Sequence, residues 1–230
     1  MKVEFHCHTE RSFDCDVAVE KRISQYAGLG FDRLYITDHD RCLPRKYRSN
    51  DTGSLAVLSG VEVSTYMGHV ILLDCPVRPP VPSLWFLVLW AKIFRSQLYI
   101  PHPCRPGSGF FAKLQVRAPS VLYIAWFLGQ VSFVEVWNPR DKVRASLPVA
   151  PEVFEAIKRV KFVTASDAHF DTDIHSSGSN IDGLEVDDIH VQEFLFKKIH
   201  ITDDTSVSHY QAIRAAFYAL GYCFLGYRPQ

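Results

Sequence analysis

The sequence predicts an α/β fold built on parallel strands, and two observations carry that reading. Seven short β-like runs alternate with helical or loop stretches, the pattern of strands joined by crossover connections. His, Asp or Glu stands at nearly every predicted strand end. In a barrel of parallel strands the carboxyl ends share one face, where active sites form. A length of 230 residues suits one barrel-sized domain or two small ones.

The first strand is expected over residues 2–5, followed by His6-Cys7-His8 and a loop holding Asp14. A helix follows over 17–29, with Gly30 as its C-terminal stop. The second strand, 33–37, runs into Asp38-His39-Asp40. The third, 56–63, is read as broken by Gly60 and carries Glu62 at its end. The fourth, 70–73, is close enough to form a hairpin through Tyr66-Met67-Gly68, with His69 at the turn. Residues 76–82 are a Pro-rich connector, and Pro82-Ser83 starts a helix over 83–95. Strand five, 98–100, precedes His102. A helix over 120–128 leads to strand six, 133–137, which holds Glu135 with Asn138 beyond it. A helix over 152–159 leads to strand seven, 161–165, and then to Asp167-Ala168-His169. The segment FDTDIHSSGSNIDG reads as a loop, and a last helix of about 207–220 ends at Gly221.

Composition narrows the classes. Apolar residues make up 47% and charged residues 22%, enough for a full core. Lys+Arg and Asp+Glu both total 25, so a globally basic nucleic-acid binder is not indicated. Six cysteines without CxxC or regular spacing read as free thiols of a cytoplasmic protein. The start MKVEFHCHTE turns polar too early for a signal peptide. The most apolar stretch, LWFLVLWAKIF at 84–94, is too short to span a bilayer and contains Lys92, so no membrane partner is expected. Burial on one face is expected there, with self-association through its aromatic residues on the other.

Residues two apart in a strand point the same way, so His6 and His8 aim at one point, and so do Asp167 and His169. A single strand-end histidine is ordinarily structural. Six of the ten histidines lie at these ends, and clusters rather than single residues signal a metal site. Imidazole plus carboxylate without clustered cysteine suits Zn, Mn or Fe. The ligand number is too high for one ion, which implies two or three. Such sites suit phosphate-ester hydrolysis, since one metal acidifies a bound water while the others hold phosphate oxygens.

The motifs HCHTERSFD, ITDHD, GVEVS, GHVILLD, PHPCRPGSG, VEVWN and SDAH, in this order, resemble the PHP (polymerase and histidinol phosphatase) family. The similarity covers residues 2–170 and continues weakly beyond. It implies a single domain over 1–230, a distorted seven-stranded β/α (TIM-like) barrel with the 171–230 extension packed on it. It also implies a di- or trinuclear centre. His6, His8, Glu62 and Asp167 would hold the first metal, and Glu62 would bridge to a second held by His69 and His102. Asp14, His39 and His169 would hold a third. Asp38 is the candidate that orients an imidazole through its other N–H. Arg11 and Arg105, with Arg140 weaker, are the candidates for gripping phosphate oxygens. Glu135 and Asn138 match the family's E-x-x-N behind the ligands.

The activity implied is a metal-dependent phosphoesterase in which a metal-bound hydroxide attacks phosphorus. Its substrate would be a phosphomonoester or phosphodiester: a small phosphorylated metabolite, a nucleotide or a short nucleic acid. A metal-dependent amidohydrolase or deaminase also begins with HxH on a first strand. It usually has eight strands and gives no role to Asp14 or to the late Asp-x-His pair. A metal-binding interaction module acting through the 84–94 helix is the third reading. Cys7, between two ligands, is expected in the barrel wall.

Overall fold

A computed structural model describes residues 1–49, 55–117, 120–137, 156, 160–174 and 179–180. Its strands are β1 (Lys2–Cys7), β2 (Arg33–Ile36), β3 (Ala56–Thr65), β4 (Gly68–Leu73), β5 (Gln97–Ile100), β6 (Val131–Trp137), β7 (Lys161–Thr164) and β8 (Ser179–Asn180). Its helices are α1 (Val19–Gly28), α2 (Leu84–Phe94), α3 (Phe110–Arg117) and α4 (Val121–Leu128). The strands form one sheet in the order β7-β6-β5-β4-β3-β2-β1-β8.

The first seven strands wrap into a distorted β/α barrel. Closure comes just past β7, where Cys7 and Ala168 form a parallel bridge. Asp167 N donates to His6 O at 2.8 Å and His8 N to Ala168 O at 3.0 Å. Closing a sheet removes its exposed edges. Val3, Phe5, Tyr35, Ile71, Leu73, Tyr99, Phe133, Val163 and Ala165 fill the interior, with Phe5 packed on the rings of Tyr35, Tyr99 and Phe133. Each fully buried large apolar side chain contributes about 1.5–3 kcal/mol.

The barrel is not all parallel. β4 runs antiparallel to both β3 and β5. Its amino end therefore lies beside the carboxyl end of β3, which brings His69 opposite Ser64 and onto the face where the other strands end. The hairpin turns at Gly68, whose φ of +98° suits glycine and whose Cβ would meet Ser108 O at 2.5 Å.

Several sequence expectations change. β3 runs unbroken through Gly60, because a Cβ there would lie 2.7 Å from Thr37 Cγ2; glycine permits a close approach rather than a break. α3 was unforeseen: the Pro-Gly-Ser run before it reads as loop, yet Phe110 and Phe111 anchor the helix in the core. The segment after Phe170 is not all loop. Residues 171–173 form a 3-10 turn, and β8 pairs with Lys2 and Val3 of β1. The helices predicted over 152–159 and 207–220, with Asn138, Arg140 and the extension from 181 onward, lie outside the described residues apart from Ala156.

Ser83 caps α2, accepting from Phe86 N at 3.3 Å, and Arg95 ends it in the left-handed region. Leu84, Leu87, Val88 and Ala91 are buried, while Trp85, Leu89 and Ile93 form an exposed stripe. Trp90 is not part of that stripe: its Nε1 donates to Val77 O and its ring packs between Phe86 and Phe94. Among the described residues no helix is long and apolar enough to cross a membrane.

Candidate metal centre

β1 sets the first pair of imidazoles by breaking its own alternation. Val3 and Phe5 face the interior, yet Cys7 packs outward against Val19 and Tyr26 of α1. The β1–β2 register shifts between Glu4 and Cys7, an irregularity that re-aims side chains. His6 and His8 thereby converge, with Nε2 atoms 3.0 Å apart. Cys7 lies in the wall, as its place between them suggests.

Glu62, fully buried on β3, gathers the rest. Its carboxylate lies 3.2 Å from His6 Nε2, 3.2 Å from His8 Nε2 and 3.4 Å from His39 Nδ1. It lies 2.7 Å from His69 Nδ1 and 3.1 Å from His102 Nε2. Asp167 Oδ1 is 3.2 Å from His6 Nε2 and 3.4 Å from His8 Nε2. At the rim, Asp14 Oδ2 meets His169 Nε2 at 2.9 Å and His39 Nε2 at 3.5 Å. The nine candidate ligands thus stand together. They overlap as four groups: His6, His8 and Asp167; His6, Glu62 and His102; His39, Glu62 and His69; and His8, Asp14, His39 and His169. His8 joins the group at the rim, a placement that the motifs do not foretell.

The donor set fits divalent cations. Two imidazole nitrogens facing each other at 3.0 Å cannot both donate, so a lone pair there needs a proton or a cation between. Atoms bound about 2.1 Å from one tetrahedral ion are about 3.4 Å apart, close to the separations here. Among the described residues the Nδ1 atoms of His39 and His102 are buried with no hydrogen-bond partner. His102 and Asp167 have φ of 28° and 49°, a left-handed backbone that is costly for a non-glycine residue and common at functional sites.

Charge follows geometry. Burial opposes ionisation of Glu62, but His69, His6 and His39 outweigh it and hold its carboxyl well below the usual range. Burial likewise opposes Asp167, where His6, His8, His102 and Arg105 prevail. Burial alone would strip the proton from His6; the carboxylates of Asp167 and Glu62 instead push it well above its ordinary value. At His39 burial prevails and lowers it.

A layer of hydrogen bonds aims the imidazoles. Glu135 Oε2 accepts from Tyr99 Oη at 2.5 Å and lies 2.9 Å from His6 Nδ1, while Glu135 Oε1 accepts from His102 N. Asp38 does not touch an imidazole as expected. It accepts from Thr9 N, Thr9 Oγ1 and Ser12 Oγ. Ser12 stands between, 2.9 Å from His8 Nδ1, and also accepts from His39 N. Asp38 is buried beneath this loop, and its link to His8 runs through Ser12. Arg105 Nη2 pairs with Asp167 Oδ2 at 2.6 Å. Arg11 is half-buried in the β1–α1 loop, and its Nε is buried with no hydrogen-bond partner among the described residues.

Arg22 escapes the sequence reading. It is fully buried on α1, donating from Nε to His8 O at 3.0 Å, from Nη2 to Ala168 O at 3.3 Å and from Nη1 to Phe170 O at 3.5 Å. One guanidinium therefore ties the loop after β1 to the loop after β7. The signal was an arginine among Val19 and Tyr26 on the buried face of an amphipathic helix.

The chain shares its β/α-barrel fold with solved structures of low sequence identity. A crystal structure named as a metal-dependent phosphoesterase from Bifidobacterium adolescentis matches with a TM-score of 0.52 at 16% identity, covering 86% of this chain and 96% of that one. A two-domain protein from Bacteroides vulgatus, named for a PHP-like metal-dependent phosphoesterase, matches with a TM-score of 0.43 at 18% identity, covering 74% of this chain. The chain spans about half of that protein's length, 52%. An amidohydrolase from Chromobacterium violaceum, solved with sulfate and no metal, matches with a TM-score of 0.48 at 15% identity, covering 74% of this chain and 88% of that one. No family model and no curated protein matches the sequence.

Proposed function

We propose that the protein is a metal-dependent phosphoesterase whose centre is held by His6, His8, Asp14, His39, Glu62, His69, His102, Asp167 and His169. The single observation that carries this is the Glu62 carboxylate, within 3.4 Å of five imidazoles at the end of the barrel. One carboxylate cannot balance that many nitrogen donors, whereas two or three divalent ions of the Mn, Zn or Fe type can. Bound there, such ions supply Lewis-acid neutralisation of phosphate oxygens and a lowered pKa for water.

The chain's own side chains supply the rest. Tyr99 and Glu135 fix the tautomer and tilt of His6. Asp38, through Ser12, does the same for His8. Arg105, already beside Asp167, and Arg11, half-buried in the loop after His8, are the cations for phosphoryl oxygens that gain charge in the transition state.

The test is metal analysis of freshly purified protein with a panel of phosphomonoesters and phosphodiesters. Turnover that a chelator abolishes and Mn restores supports the reading. Tightly bound metal without turnover of any phosphoester would overturn it.

A further inference from the structure

The rim of the centre carries an aromatic ring that packing does not explain. Phe13 is 87% exposed, yet its ring lies 5.0 Å from that of His39 at an interplanar angle of 28°. One face therefore rests on an imidazole of the centre and the other is open to solvent. Phe13 directly precedes Asp14, which bonds His169 at 2.9 Å, and Phe170 after His169 is 53% exposed. Two exposed phenylalanines thus adjoin the Asp14–His169 pair. Burial does not stabilise Phe13 where it is, since the hydrophobic contribution scales with the area removed from water. A planar group sliding onto the open face would supply the missing burial, with stacking besides.

We infer that Phe13 is the stacking platform for a nucleobase joined through its sugar to the phosphate at the centre. This rests on the phosphoester reading and narrows it: the substrate is a nucleobase-bearing phosphoester rather than an aliphatic sugar or glycerol phosphate. Stacking reads the π-face that every base has, so the site should accept purines and pyrimidines alike. The same chemistry can come from a free mononucleotide or from the end of a nucleic-acid strand. Lys+Arg and Asp+Glu both total 25, so the chain as a whole does not attract a long polyanion, and contact centred on the terminal nucleotide is expected in the second case.

Calorimetric binding tests this with protein as purified, using adenosine 5′-phosphate, ribose 5-phosphate and a 5′-phosphorylated pentathymidylate. The wild type should bind the base-bearing ligands about 5- to 100-fold more tightly than ribose 5-phosphate, the range that base–aromatic stacking provides. Phe13→Ala should erase that ratio, Phe13→Leu should recover little of it, and Phe13→Trp should keep it. Tighter binding of the pentanucleotide than of the mononucleotide would identify a strand end as the source, and the reverse a free nucleotide. Equal wild-type affinity for adenosine 5′-phosphate and ribose 5-phosphate would overturn the inference. So would an equal loss for both ligands in Phe13→Ala, which would mean that the ring only steadies His39. Phe13-dependent binding without hydrolysis would leave the platform standing and sink the phosphoesterase reading; hydrolysis without the preference would do the opposite.

Discussion

Arg22 offers the sharpest test of how this barrel holds its centre. Truncation to alanine removes the donors to His8 O, Ala168 O and Phe170 O at once. Ala168 O keeps one partner, because His8 N also donates to it. The His8 carbonyl loses its guanidinium donor in a fully buried place, which costs about 1–3 kcal/mol. The space left by the side chain adds a packing loss of similar order, so a total of about 2–4 kcal/mol is expected. For a chain of this length that lowers Tm by about 10 °C. Urea denaturation should give a lower midpoint with an unchanged slope, and metal retention should weaken about 10-fold because His8 and His169 are no longer held in common register. Arg22→Lys keeps the charge but not the fork, so it should recover part of the stability and less of the metal retention. If Arg22→Ala unfolds within 0.5 kcal/mol of the wild type, about the spread of ordinary surface substitutions, and keeps its metal, the guanidinium does not join the two loops.

Three further outcomes follow from the site. Glu62→Gln should lower metal content and cut phosphoester turnover by about 100-fold or more, since a direct ligand should matter at least as much as the groups behind it; unchanged metal stoichiometry would remove Glu62 from the centre. Tyr99→Phe deletes the hydroxyl that Glu135 accepts at 2.5 Å and should destabilise by about 1.5–3 kcal/mol, read by denaturation. Glu4 is buried, and burial raises its carboxyl from the ordinary 4.5 to about 7 despite donors from His6 N and Ser166 N. A folded pKa above the unfolded one gives stability that is complete below pH 4.5 and lost as pH rises through 7. That loss is about 3 kcal/mol, so Glu4→Gln should flatten the stability profile between pH 4.5 and 7, and a profile no flatter than the wild type's would refute the assignment.

The strands were legible because the apolar runs are short and bounded. β2, β5 and β7 fall within a residue of where alternation puts them. α2 was equally clear, since Pro82-Ser83 announces a cap that the structure forms. α3 was not: a Pro-Gly-Ser run is a turn signal, and only the burial of Phe110 and Phe111 makes the following residues a helix. The direction of β4 was legible from the short hairpin to β3; its antiparallel pairing with β5 was not.

What the sequence by itself determined is which residue types crowd the strand ends, because strand periodicity and loop spacing are local. His6-x-His8, His39, Glu62, His69, His102 and Asp167-x-His169 can be read off in order. Which of them touch is a non-local matter. The shift in β1 that turns His6 inward depends on its pairing with β2. The reach of Glu62 to five imidazoles depends on closing the barrel between Cys7 and Ala168. Ser12 stands between Asp38 and His8, and Arg22 donates to Ala168 O 146 residues further along the chain, because tertiary packing decides which buried donor meets which buried acceptor.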